Sequence, residues 1–591
     1  MIAPKFFVSS SNCICACLRL PISLGLAVGI ASAMLFFGAS ALKAQEPGAP
    51  QMAPSAAQAL ASQPLKSEKN EASGVRAEEP VRDARGVPHY HCDVLVIGAG
   101  AAGLSAAIEA SRAGADVIVI EKMPMAGGNT ILSSDGVVAL NATASTPAHA
   151  KPVPASGDEQ AAAGAAGAQN AALSGAAAHA SSNRALVTLP PEGERLYSIL
   201  SVHQAAGEPI LARKLIAESG EAVRWLESCG IDLRKQTQYP GAEGIFSRRP
   251  TSDSPLGFEV IRGLLRELEA AGIPMQTLTR AERFIYDKAG EISGVRALGR
   301  CGAIIYEARA VVIATGGYAG SIDAIRADNP QMPLLSTTNS AGATGDGLAL
   351  AQAAGGKKTR TGCISMHGTT LAVSGMLVPH GVRAEGAILV NENGQRFVNE
   401  LLPSDEVAQA ILAESGQEAW LIFDEGILKG SRTLSLAADI GSLDVVYKAA
   451  TSAGLARQIG VPARHLSQTV MDYRRMAAQG RDLAFGRPTL KSKLDDGRLC
   501  AVRVRPAYHS TSAGIAINAK SEVLRADGQP IPGVYAAGEA AGGIFGRHVP
   551  DNLGIVSAVV FGRTAGKDAA MHAIERRGAE APDVLDAPGC P

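Results

Sequence analysis

Gly98-Ala99-Gly100-Ala101-Ala102-Gly103 carries the spacing G-x-G-x-x-G. The first glycine permits a tight turn. The second lets the backbone approach a pyrophosphate, and the third lets a helix pack closely on a strand. Ala101 then opens a helix whose amides and dipole favour a phosphate. Glu121 ends a β-branched run 18 residues after Gly103, where a carboxylate accepts from a ribose hydroxyl. Together these residues point to dinucleotide binding.

Three later clusters separate FAD from NAD. Gly127-Gly128-Asn129-Thr130 suits backbone approach near a flavin and its pyrophosphate. Ala314-Thr315-Gly316-Gly317 follows an apolar run mid-chain, and Gly533-Val534-Tyr535-Ala536-Ala537-Gly538-Glu539 ends another near the C-terminus. Glycines at strand ends permit close ligand contact. In this order the clusters select FAD.

Asp93–Ile97 and Val117–Ile120 read as buried strands with the helix Ala101–Ala113 between them, a β-α-β unit. Arg309–Ala314 and Gly533–Ala537 read as further buried strands, and Pro209–Ser228 as an amphipathic helix. The pattern predicts an α/β protein. A doubly wound, Rossmann-like FAD-binding domain would occupy 91–356 and 496–580, with an inserted α+β capping domain over 357–495. Residues 142–190 form a low-complexity insertion with no apolar stripe to bury.

Of 591 residues, 19% are charged and the formal net charge is −1. That balance gives no reason to expect nucleic acid as a partner. Residues 1–44 look like an export signal. Lys5 and Arg19 precede 23 uncharged residues, Leu20–Leu42, and Ala39, Ala41 and Ala44 offer cleavage sites. Uncleaved, the run is long enough to anchor the chain, the one membrane association expected. Residues 45–90 read as a disordered linker. The expected location is the periplasm. Nine cysteines occur, with no zinc, haem-attachment or iron–sulfur spacing. No metal site is expected.

On Asp93–Gly103, Glu121–Thr130, Ile313–Gly317, Gly342–Gly347, Gly386–Glu400 (GAILVNENGQRFVNE) and Gly533–Glu539, the chain resembles the flavoprotein subunits of fumarate reductase and succinate dehydrogenase. It is most similar to the periplasmic flavocytochrome c fumarate reductases and the related urocanate and acrylate reductases. The resemblance covers about 91–141 and 191–575. It implies cofactor contacts at Glu121, Asn129, Thr130, Gly136, Ala281, Asp346, His509, Glu539, Gly554 and Ile555. It also implies reduction of an activated C=C bond, with hydride from FAD to one carbon and a proton from an arginine to the other. His367 stands at a substrate-binding position, and Arg383 at that of a proton-relay arginine.

The substrate end departs from the family pattern. The proton-donor arginine aligns with Ser404, and the carboxylate-binding threonine and relay glutamate align with Pro379 and His380. The second substrate histidine aligns with Ser510, and a clamping arginine with Val549. A serine hydroxyl is too weakly acidic to replace the arginine unaided. Losing guanidinium forks removes groups that suit a carboxylate. Fumarate is therefore not the expected substrate. Arg383, His367 and His380 are the catalytic candidates, with Tyr508, Arg547 and His548 as further replacement acids or anchors.

The expected function is FAD-dependent redox chemistry on a CH–CH group, reducing a C=C bond of a small molecule. The alternatives are a dehydrogenase or oxidase running the other way and a non-catalytic FAD-binding protein. NAD(P)H is not available outside the cytoplasm. Electrons would come from a separate carrier such as a cytochrome c or a quinol-linked protein.

Overall fold

The computed structural model describes residues 80–580 except 135, 141–186, 203, 239–244, 253, 360–363, 440–444, 496 and 551. The export signal, residues 45–79 of the linker and residues 142–186 of the Ala-rich insertion lie outside the described residues. Residues 80–90 of the linker are described, and Val81–Arg82 pairs with Pro88–His89.

The β-branched runs become the parallel centre of one nine-stranded mixed sheet. Pro88–Ile97 lies at its middle, between Gly302–Ile313 and Val117–Ile120. Pro530–Ala536 adds beyond Gly302–Ile313, and Met275–Gln276 beyond Val117–Ile120, both parallel. Helices cover both faces of such a sheet, so its strands read as continuous Val and Ile runs. The register aligns Ile97 with Ile120 and Ile313, and Ile313 with Ala536. The strands thus end in one row. The next residues, Gly98, Glu121, Ala314 and Ala537, all line one cavity. Ligands of open α/β sheets bind in this crevice, outside the carboxyl ends of the strands.

Two helices meet that crevice. Ala101–Arg112 leaves the glycine turn, and the 27-residue helix Gly554–Glu580 packs against it. Gly562 and Gly566 lie one turn apart on the contact face. A Cβ there would stand 2.4 Å from Ala102 O and 2.1 Å from Ala106 O. The helices therefore touch backbone to backbone, which brings both N-termini to the cavity. Gly566→Val should cost about 3 kcal/mol through overpacking, read as a lower urea midpoint. An unchanged midpoint would mean that the helices can part freely.

A second sheet is built on Leu499–Thr511. Ala419–Asp424, Ile364–Leu371 and Tyr447–Ala449 pair with it antiparallel, and Ser336–Thr337 parallel. Ile388–Val390 extends the sheet beyond Ala419–Asp424. Alternate residues feed two cores. Leu389, Leu421, Phe423 and Val502 enter one, while Ile388, Val390, Ile422 and Ala501 enter the other. Hydrogen bonding carries this sheet past residue 495 to Thr511, and the chain rejoins the first sheet at Glu522–Leu524.

Candidate active site

The cavity at the strand ends has a volume of about 650 Å³, within the usual range for a ligand pocket. Gly98, Gly100, Ala101, Glu121, Gly128, Asn129, Thr130, Gly136, Ala281, Asp346, His509, Glu539, Gly554 and Ile555 all line it. Gly103 does not. Its Cβ would lie 1.9 Å from Gly98 O, so it serves the packing of the helix onto the turn. Gly98 has φ +106, and a Cβ there would meet Ala314 O at 2.4 Å.

The wall is shaped for a ligand that backbone must approach. A Cβ on Gly128 or Gly316 would meet no protein atom within 4 Å, and one on Gly100 none nearer than 3.7 Å. Side chains there would occupy the cavity itself. Thr315 Oγ1, on the same wall, is buried with no hydrogen-bond partner among the described residues. Two helix N-termini add oriented amides for a pyrophosphate. These residues fit FAD.

Glu121 is held at both oxygens. Ala99 N–H donates to Oε2 at 2.8 Å and Met123 N–H to Oε1 at 2.7 Å. Each oxygen keeps a second lone pair for a ribose hydroxyl. Asp346 accepts from Thr344 Oγ1 at 2.6 Å and from Arg280 Nε at 2.7 Å, with Lys122 Nζ at 3.3 Å. Burial pushes its carboxyl up, but the Thr344 and Arg280 hydrogen bonds and the Lys122 and Arg280 charges outweigh burial and hold it below its ordinary value.

Glu539 closes the other side. Thr511 N–H donates to its Oε1 at 2.9 Å, and Asn129 Nδ2 to its Oε2 at 3.2 Å. Burial nonetheless pushes this carboxyl above its ordinary value. Asn129 also donates to Asn339 Oδ1 at 2.6 Å and accepts from Ser340 N–H at 2.8 Å. Thr130 Oγ1 accepts from Ala101 N–H at 3.2 Å. Asn552, at φ +68, accepts from Gly136 N–H at 2.9 Å. Sequence reasoning missed Lys122, Arg280, Asn339, Thr511 and Asn552. Asn552, polar and just before a long helix, carried the one local signal.

His367, His380 and Arg383 do not line the cavity. They stand in the adjoining second sheet and its helices. His367 is buried on Ile364–Leu371, with its ring centroid 5.4 Å from that of His509, which does line the cavity. His509 Nδ1 lies 2.7 Å from Thr338 Oγ1. His380 and Arg383 share the short helix His380–Ala384. Arg383 is fully buried. It donates from Nη1 to Glu400 O and from Nη2 to Ser404 Oγ, both at 3.0 Å. Tyr508 donates to Pro333 O at 2.5 Å, and burial pushes its hydroxyl up to about 12. Arg547 is tied to Gln204 at the surface.

Burial, then the nearby His509, Arg383 and His380, hold His367 well below its ordinary pKa. The imidazole is therefore neutral near pH 7. A folded value below the unfolded one of about 6.5 means that the stabilisation is complete above that pH. It is lost as the pH falls through the folded value, by at most about 1.4 kcal/mol per pH unit. The melting temperature should drop more steeply below pH 6.5 in the native protein than in His367→Asn. Equal slopes would show that the ring reaches solvent.

A family model described as FAD binding domain matches residues 93–551. The fumarate reductase (cytochrome) of Shewanella frigidimarina is 33% identical over 486 residues, 82% of this chain and 78% of that protein. The urocanate reductase of Eggerthella lenta is 27% identical over 524 residues, 85% of this chain and 79% of that protein. The solved open conformation of a flavocytochrome c3 fumarate reductase has a TM-score of 0.65 at 30% identity, covering 83% of this chain and 80% of that one. The match runs through both sheets, and the chain belongs to the FAD binding domain family of flavoprotein oxidoreductases, which bind FAD.

Proposed function

We propose that the protein is an exported flavoenzyme that reduces an activated C=C bond of a small organic molecule other than fumarate. Electrons reach it from a separate carrier, a cytochrome c or a quinol-linked protein. The observation that carries this reading is the hydrogen bond from the buried Arg383 guanidinium to Ser404 Oγ, beside a histidine pair that reaches the flavin cavity.

Bound FAD supplies hydride chemistry, and the chain's own residues hold the substrate and deliver the proton. Arg383 is a permanent cation. A hydroxyl that accepts from a cation is polarised, which gives Ser404 O–H the donor strength an isolated serine lacks. Ser404 passes its proton to the substrate carbon. The Arg383 cation keeps its own protons and stabilises the oxygen left behind, and water at the half-buried Ser404 restores the proton. His367, held neutral, acts as a hydrogen-bonding wall rather than as the acid.

The fumarate and urocanate reductases among the relatives support C=C reduction, since both named substrates carry such a bond. The apolar run Leu20–Leu42 supports export to the periplasm. Among the described residues no helix is long and apolar enough to cross a membrane. The lack of a haem or iron–sulfur spacing supports a separate electron carrier.

Anaerobic assay of the FAD-loaded protein with reduced viologen dye tests the function. Dye oxidation is expected with at least one class in a broad panel of alkenes conjugated to carbonyl or carboxyl groups. Silence across the panel, with FAD still bound, would overturn the reading.

A further inference from the structure

Ser365 and Ser510 are register partners on the antiparallel strands Ile364–Leu371 and Leu499–Thr511. Both hydroxyl oxygens are buried, and neither has a hydrogen-bond partner among the described residues. Ser510 lines the cavity beside His509, and its rung partner Ser365, 4% exposed, does not line it. Cβ atoms of directly opposed residues lie about 4.5–5.5 Å apart, so one oxygen entering past Ser510 is within reach of both hydroxyls. Burying a hydroxyl without a partner is unfavourable. Two on the same rung of a ladder mark a place where an oxygen from elsewhere belongs.

We propose that Ser365 and Ser510 bind an uncharged oxygen of the substrate, the carbonyl of an enone, enamide or enoate ester, and so select neutral substrates over free carboxylates. The proposal rests on the C=C reductase reading above.

Two neutral O–H donors match the two lone pairs of one carbonyl oxygen. A carboxylate at this wall would bring a charge needing a counter-ion. Arg383, the cation of the adjoining helix, is already engaged by Ser404 Oγ and Glu400 O. Pro379 and Val549 supply no charge at the other positions where a carboxylate clamp was expected. Donors at a carbonyl oxygen also draw electron density from the conjugated double bond, where hydride must add.

The test uses the FAD-loaded protein, reduced viologen dye and matched sets of enoate, methyl ester and amide. The native protein should turn over the ester or amide with a kcat/KM at least about tenfold above that of the acid. Ser510→Ala and Ser365→Ala should each lower that value about 10- to 100-fold with FAD content unchanged. Ser510→Thr, which keeps the hydroxyl, should recover most of it. If acids turn over while their esters and amides are inert, the proposal fails and the reductase reading stands. If no member of any set turns over, the reductase reading fails and the proposal with it. Alanine variants that lose thermal stability at an unchanged ester-to-acid ratio would show that the pair holds a structural water. Variants that lose FAD would show that it serves the flavin. Either result overturns the proposal.

Discussion

Glu400→Gln is expected to lower the free energy of unfolding by about 3–5 kcal/mol. The Glu400 side chain is fully buried and takes a two-pronged fork from Arg396, Nε to Oε1 and Nη2 to Oε2, each at 2.8 Å. Arg487 Nη1 reaches Oε2 at 3.1 Å, and Leu389 N–H donates to Oε1 at 3.2 Å. Arg396 is shared with Asp482 at 2.8 Å. Two buried guanidinium groups thus face two buried carboxylates. Removing one negative charge leaves Arg487 with no carboxylate partner, held by the carbonyls of Ala387, Thr489 and Arg383 and by the Tyr473 ring. The Arg503–Glu418 pair is a control, at 3.5 Å with Arg503 51% exposed. Glu418→Gln should change stability by less than about 1 kcal/mol. Chemical denaturation of both variants decides the matter. A loss at Glu400 no larger than at Glu418 would show that carbonyls alone can hold Arg487.

Arg383→Gln should reduce turnover about 10³-fold, the combined scale of a Ser404 proton donor left unpolarised and a lost cationic hydrogen bond. FAD should stay bound, because Arg383 does not line the cavity that holds it. The readouts are dye-linked kinetics and the flavin absorbance of the same preparation. Arg383→Lys keeps the charge but not the fork to Glu400 O and Ser404 Oγ, so it should also fall well short of the native rate. Unchanged turnover in Arg383→Gln would remove Arg383 from any catalytic role.

The flavin half of the molecule was legible because its signals are local. Val117–Ile120 and Pro209–Ser228 stand where the sequence puts them. One is a continuous β-branched run, the other a strip of apolar residues at helical spacing. The central strand begins at Pro88, before the apolar run starts at Asp93. Its first residues are polar and aromatic, and Tyr90 is held by stacking on Tyr306, with ring centroids 5.4 Å apart. That partner is distant in sequence and leaves no local trace. The second sheet was harder to read for the same reason. Its strands alternate between two cores, and its central strand looked like the return of the first domain. Arg396 and Glu400 lay inside a quoted motif, yet their role appears only when Asp482 and Arg487 fold onto them. The Ser404 substitution showed from resemblance, but its hydrogen bond from Arg383 needed coordinates.

Leu499–Thr511 is the spine of the second sheet, and its last rung grips Glu539 through Thr511 N–H while His509 faces the flavin cavity. One strand therefore joins the second sheet to the cavity wall. A ligand that shifts this strand on binding would change the affinity of the flavin site, and thermodynamic reciprocity would require the converse by the same factor. The factor by which substrate would tighten FAD is then the factor by which FAD would tighten substrate.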